Sequence, residues 1–212
     1  MGPVNRGAGL GSLAVLLCLS GGCGNPQFES PEATFQTAKS AIERNDCQGF
    51  CRCLTTRARD EMAAELAFHG NNLAQLAVGL PGLVTEKASE RAKRIKAVLE
   101  KHGLNEHTTP KISLSLMASK EEQEREILKL VEPIVDRNAF IADFLSVIIE
   151  TADDPDMKFI EPDARLVDLR TEEDTATATF AQTRQGKEKT SPIAFEKGDD
   201  GWKISQLPRL MN

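Results

Sequence analysis

Apolar positions along this chain follow three spacings, and each predicts a different kind of element. From Leu10 to Leu19 they are nearly continuous, and Ser20, Gly21, Gly22 and Cys23 follow. From Ser30 onward they recur every three or four residues. Ser30-Pro31-Glu32 is a helix start, with an N-cap hydroxyl, a proline at the first helical position and an acid in the first turn. Phe35, Ala38, Ala41 and Ile42 then mark one face of a helix ending near residue 44, and a short helix over 47–54 follows the Asn45-Asp46 break. Residues 57–69 present Met62 and Leu66, and residues 71–80 present Leu73, Leu76, Ala77 and Leu80 before Pro81-Gly82, so two separate helices are predicted. Over 85–101, Ala88, Ala92, Ile95 and Leu99 form an amphipathic stripe with Glu90 and Arg94 turned to water, and Gly103 closes the helix. Ser119 to Glu122 has the form of a capping box, ahead of a face made by Ile127, Leu130, Val131 and Ile134. Residues 137–150 differ, because Phe140, Ile141, Phe144, Leu145, Val147, Ile148 and Ile149 cover most of the circumference. That segment reads as a buried helix, with Phe144 and Ile148 packed against a sheet or against other helices.

After Asp153-Asp154-Pro155 the spacing becomes two. Short strands are predicted at 166–169, 175–183, 190–195 and 202–207, separated by Thr171-Glu172-Glu173, Gln185-Gly186 and Gly198-Asp199-Asp200-Gly201. Ala176, Ala178 and Phe180 alternate with threonines, and Ile193 with Phe195 and Trp202 with Ile204 repeat the pattern, so one face of an antiparallel sheet is apolar. The expected fold is α+β: a helical N-terminal and middle region packed on a C-terminal four-stranded antiparallel meander. It forms a single domain over 30–208, helical over 30–151 and sheet over 157–208.

The first apolar run reads as an export signal over residues 1–22. Arg6 and the amino terminus supply the positive region, ten mostly apolar residues follow, and small residues lead to one cysteine that can be cut and acylated. A transmembrane helix needs about 20 apolar residues, so the run is too short to remain as a span. Ser20 stands where a bacterial lipobox has Leu, Val or Ile, with Leu19 one place further out; the motif resembles a lipobox with a permissive first position. Lipidation at Cys23 is the favoured reading. Plain secretion stands as the competitor, and a cytosolic protein with an apolar N-terminal helix is disfavoured by the glycines in the segment. Residues 23–29 would then tether the domain close to a bilayer.

Charge and composition narrow the partners. Removing the signal takes away one arginine and leaves 25 basic against 32 acidic residues, a formal charge of −7. A nucleic-acid partner requires a basic face, so none is expected. With no tyrosine and a single tryptophan, aromatic cages and stacking platforms are poorly supplied. Cys18 leaves with the signal and Cys23 is committed to lipid, so Cys47, Cys51 and Cys53 remain. Three readings stand for them: small apolar side chains buried beside Phe50 and Leu54, a local disulfide between Cys47 and Cys51, or a thiolate metal site. The last lacks a histidine or second cysteine pair at zinc spacing, so no metal or cofactor is expected.

The opening Ser30-Pro31-Glu32-Ala33-Thr34-Phe35, the short helix with Phe50, Cys53, Leu54 and Thr55, and the closing Gly201-Trp202-Lys203-Ile204 resemble small bacterial lipoproteins with a nuclear-transport-factor-2-like cone fold. The resemblance implies helices packed into a curved antiparallel sheet, a scaffold that hosts enzymes and non-enzymes alike. The chain departs from it over residues 57–150, which are helical where the family has a compact helix pair and early strands.

Catalytic constellations are sparse. His69, His102 and His107 are scattered near predicted helix ends and a loop, without a visibly placed aspartate. Asp153, Asp154 and Asp156 lack the glycine and terminal glutamate of an EF-hand loop and read as a solvated connector. Ser113 and Ser115 lie in an alternating stretch with no Gly-x-Ser-x-Gly elbow, and no glycine-rich phosphate loop occurs. The expectation is therefore a non-catalytic, lipid-anchored envelope protein. It would be held to the membrane through lipid on Cys23 and would bind an envelope protein or small ligand. The competing class is a cone-fold isomerase or hydrolase that uses a carboxylate such as Asp168 or Glu188 in a sheet-lined pocket.

Overall fold

The computed structural model describes residues 26–79, 85–113, 118–151 and 160–207. Its elements are a short 3₁₀ turn at Pro26–Phe28, helices α1 (Pro31–Glu43), α2 (Cys47–Arg52), α3 (Thr56–Gly79), α4 (Glu86–Lys101), α5 (Lys120–Leu128) and α6 (Arg137–Glu150), and strands β1 (Arg165–Glu172), β2 (Thr175–Arg184), β3 (Lys187–Gly198) and β4 (Gly201–Gln206). A second 3₁₀ turn, Lys129–Val131, continues α5. The strands form one antiparallel sheet in the order β1-β2-β3-β4, so the fold is α+β with a C-terminal meander, as the spacing predicts.

Local signals fix the helix starts. Ser30 Oγ accepts from Ala33 N at 3.1 Å, with Pro31 next in sequence. Thr85 caps α4 in the same way. At α5 both halves of the capping box form: Ser119 Oγ accepts from Glu122 N at 3.2 Å, and a Glu122 carboxylate oxygen accepts from Ser119 N at 2.8 Å. These bonds satisfy amide donors that the first helical turn leaves unpaired.

The apolar side chains divide between two cores. The sheet core joins Phe35, Ala38 and Ala41 of α1 and Phe50 and Cys53 at α2 to Ala176, Phe180, Ile193, Phe195, Trp202 and Ile204. Phe35 meets Phe180 edge to face with ring centroids 6.1 Å apart. Thr34, fully buried, donates its hydroxyl to Trp202 O at 2.9 Å and ties α1 to β4. The helical core joins Ala63, Leu66, Ile95, Leu99, Leu130, Ile134, Phe140, Ile141 and Phe144 to Cys47 and Cys51. Among the described helices α1 packs on the sheet, α2 stands between the two cores, and α3 to α6 pack chiefly on one another, with Ala58 and Met62 of α3 also reaching the sheet core.

Two expectations change here. Residues 57–69 and 71–80 were expected as two helices, yet α3 runs through Gly70 and Asn71 without interruption. Gly70 is there for space, because a Cβ on it would lie 2.6 Å from Phe144 Cε2 and 3.0 Å from Ile95 Cγ2. The small residue lets α6 and α4 approach α3. As for α6, its cover comes from α2, α3 and α4; Phe144 is buried, whereas Ile148 is half-buried. Leu80, Pro81, Gly82 and the acidic group Asp153, Asp154 and Asp156 lie outside the described residues.

Truncating Phe144 to alanine should lower stability by about 3–5 kcal/mol, the cost of a large core deletion. Gly70→Ala should also destabilise, and the double variant should lose less than the two single costs added together, because each removes the other's clash or partner. Urea unfolding of the four proteins measures this. Strict additivity would show that the two positions do not meet.

Candidate functional site

The structure brings together one histidine and one aspartate that are far apart in sequence. His102 is the C-cap of α4, and its backbone N–H bonds Val98 O and Leu99 O. Its ring packs edge-on against Phe140, with centroids 5.5 Å apart, and its Nε2 lies 2.7 Å from Asp143 Oδ2 on α6. Lys101 Nζ donates to the same oxygen at 2.7 Å. Burial opposes the charge on Asp143, but the hydrogen bonds and positive charges of Lys101 and His102 outweigh it and hold the carboxyl below its ordinary range. The seam continues along the two helices: Arg94 pairs with Glu150, and Arg91 Nε donates to Thr151 Oγ1 at 3.0 Å. The reading of the histidines as isolated therefore fails for His102, since a 41-residue separation hides the contact. An aspartate that orients an imidazole is half of an acid–base device. Here both partners are spent bridging two helices, and the ring is nearly enclosed, with its side chain 10% exposed.

The other histidines stand apart from this seam. His69 is exposed in mid-α3 beside Phe68, and His107 is exposed in a turn capped by Asn105. Ser113 donates its backbone N–H to Glu126 and is exposed, while Ser115 lies outside the described residues.

The two carboxylates considered for a sheet pocket sit on the solvent side of the sheet. The side facing α1 is filled by Phe35, Phe180, Phe195, Trp202 and Ile204. Glu188 pairs with Arg165, which carries the contact from β3 across β2 to β1. Asp168 lies in a β-bulge between Val167 and Arg170, with φ +54°. With Arg170, Thr177, Ala178 and Thr179 it lines an open hollow of about 270 Å³. The bulge has a structural explanation. β1 is an edge strand, and a bulge together with the exposed charges Arg165, Asp168, Arg170 and Glu172 blunts that edge against pairing with another chain.

In the structure Cys47, Cys51 and Cys53 carry free thiols and all three are buried among apolar side chains. Cys47 and Cys51 point into the helical core and Cys53 into the sheet core. Burial pushes Cys51 up to about 12, aided by neighbouring Cys47, and pushes Cys53 up to about 11 against the opposing charges of Lys203 and Arg52. Burial and Asp46 raise Cys47 as well. Among the described residues no three His, Cys, Asp or Glu side chains converge to hold a metal, and no helix is long and apolar enough to cross a membrane. Cys23 lies outside the described residues. Compared with protein-family models, curated proteins and solved structures, the chain matches none.

Two measurements follow from this geometry. Because Asp143 is depressed in the folded state, its contribution to stability is complete above the unfolded aspartate pKa of about 3.9 and is lost as pH falls through the lower folded value. Asp143→Asn should cost roughly 1 kcal/mol at neutral pH, the scale of a partly exposed pair, and should flatten this acid-side slope in thermal melts. A thiol-specific chromophoric reagent at pH 8 should react with folded protein starting at Gly24 at least about a hundredfold more slowly than with free cysteine, and should find three thiols after unfolding. Fewer than three would show that a disulfide forms.

Proposed function

We propose that this protein is a lipid-anchored cell-envelope protein, acylated at Cys23, that binds a protein partner or small ligand at the membrane surface without catalysing a reaction. The observation that carries this reading is the signal pattern itself: one basic residue, the apolar run from Leu10 to Leu19, then Ser20-Gly21-Gly22 before Cys23. Gly24 in place of an aspartate after the cysteine, by resemblance to lipoprotein sorting in bacteria with two membranes, directs it to the outer membrane facing the periplasm.

The binding role is supported by where the ionisable groups stand. Glu188 is engaged with Arg165, Asp143 bridges Lys101 and His102, and the three thiols are buried. Chemistry at neutral pH needs groups free to exchange protons within reach of a substrate. The second reading, a cone-fold isomerase or hydrolase, keeps one supporting observation: the Asp168 hollow with Arg170 and two threonine hydroxyls.

Mass spectrometry of the membrane fraction should show an acylated N-terminal peptide beginning at Cys23, and Cys23→Ala should release the protein into the soluble fraction. A soluble wild-type protein that begins elsewhere would refute the anchor. Capture from detergent-solubilised envelopes, run beside esterase, isomerase and phosphatase substrates, separates binding from catalysis. Turnover that vanishes in a folded Asp168→Asn variant would establish the enzyme instead.

A further inference from the structure

The first described residues do not form a free leash. Pro26–Phe28 is a 3₁₀ turn, and Phe28 is buried against the start of β4. Three contacts fix it there. The Lys203 ammonium sits 3.4 Å from the centroid of the Phe28 ring and donates to Arg52 O at 2.8 Å. The Thr37 hydroxyl of α1, which donates to Ala33 O at 2.8 Å, also stands 3.2 Å from Gln27 O. Gly201, at φ +97°, leaves room that no other residue would, because a Cβ there would lie 2.4 Å from Phe28 O. The tether expected over 23–29 is therefore shortened from its domain end. Only Gly24 and Asn25 separate Cys23 from the docked turn.

Three residues of chain span at most about 10 Å. On the reading that Cys23 carries lipid, we infer that the domain is held in one orientation, with the end of the sheet that carries Phe28, the Asp199-Asp200 turn and the start of β4 facing the bilayer surface. The sheet gives this end a clear opposite. β3 runs 12 residues from Lys187 to Gly198, roughly 35 Å at strand rise, so the Gln185-Gly186 turn stands far from the membrane-facing end. A tether that used all of residues 24–29 would allow the domain to tumble through positions that a two-residue connection forbids.

The test uses acylated protein purified from membranes and placed in phosphatidylcholine vesicles bearing a nitroxide on the headgroup. A maleimide fluorophore is attached to Asp200→Cys in one sample and to Lys187→Cys in another, both exposed positions; the native thiols are buried and do not compete. Quenching should be severalfold stronger at position 200 than at position 187. Phe28→Ala, which frees the docked turn, should shrink that difference. Equal quenching at the two positions, or stronger quenching at 187, with the acyl mass present on Cys23, overturns the orientation and leaves the anchor standing. A difference that Phe28→Ala leaves unchanged in folded protein shows that docking of the turn does not set the orientation. Absence of the acyl mass overturns the anchor and the orientation with it.

Discussion

The two cores of this fold meet at the six residues of α2. A helix so short has no independent stability, because nucleation costs more than one turn of hydrogen bonds returns. It persists because it is buried on both sides. Cys47 and Cys51 enter the helical core, Phe50 and Cys53 enter the sheet core, and Cys51 and Cys53 have no exposed surface. Asp46 caps it by accepting from Gly49 N at 2.7 Å. Cysteine suits this place: it is apolar when protonated and small enough to stand between two packed layers. The raised pKa values are the electrostatic expression of the same burial. A change that enlarges or charges α2 would be felt in both cores, whereas most changes in α4 or β1 would be felt in one.

The chain leaving α2 extends the coupling. Cys53 O accepts from Ile204 N at 2.8 Å, and Thr55 N donates to Ile204 O at 2.9 Å, so Leu54 lies as a parallel bridge along the β4 edge. This covers one open edge of the sheet with backbone that belongs to the helical layer. The other edge, β1, is left to its bulge and charges. With one side of the sheet filled by aromatic and aliphatic residues, Asp168 and Glu188 stand on the solvent side.

Much of this architecture is legible in the sequence because it depends on local chemistry. Ser30-Pro31, Thr85, Ser119 with Glu122 and the period-two run from Ala176 to Phe180 each state their element through contacts within a few residues. What escaped reading depends on groups distant in the chain. Gly70 looks like a helix break until Phe144 is placed against it. His102 looks isolated until α6 brings Asp143 to its ring. Gly24 to Glu29 look like a leash because nothing near them says that Gly201 has opened a seat for Phe28. The buried state of the thiols was one of the alternatives offered, and spacing alone was unable to choose it, since a four-residue separation serves a helix face and a disulfide equally.

The division into two cores also divides their roles. The sheet core, with Lys203 over the Phe28 ring, holds the start of the described chain. The helical core is aligned differently. Its α4–α6 seam uses Arg91, Arg94, Lys101 and His102 against Thr151, Glu150 and Asp143, a row of contacts that individually contribute little where exposed. Their value lies in register: sliding α6 along α4 by one turn would break the row together, and it would also carry Phe144 away from the space at Gly70. Apolar fit and polar seam therefore select the same packing.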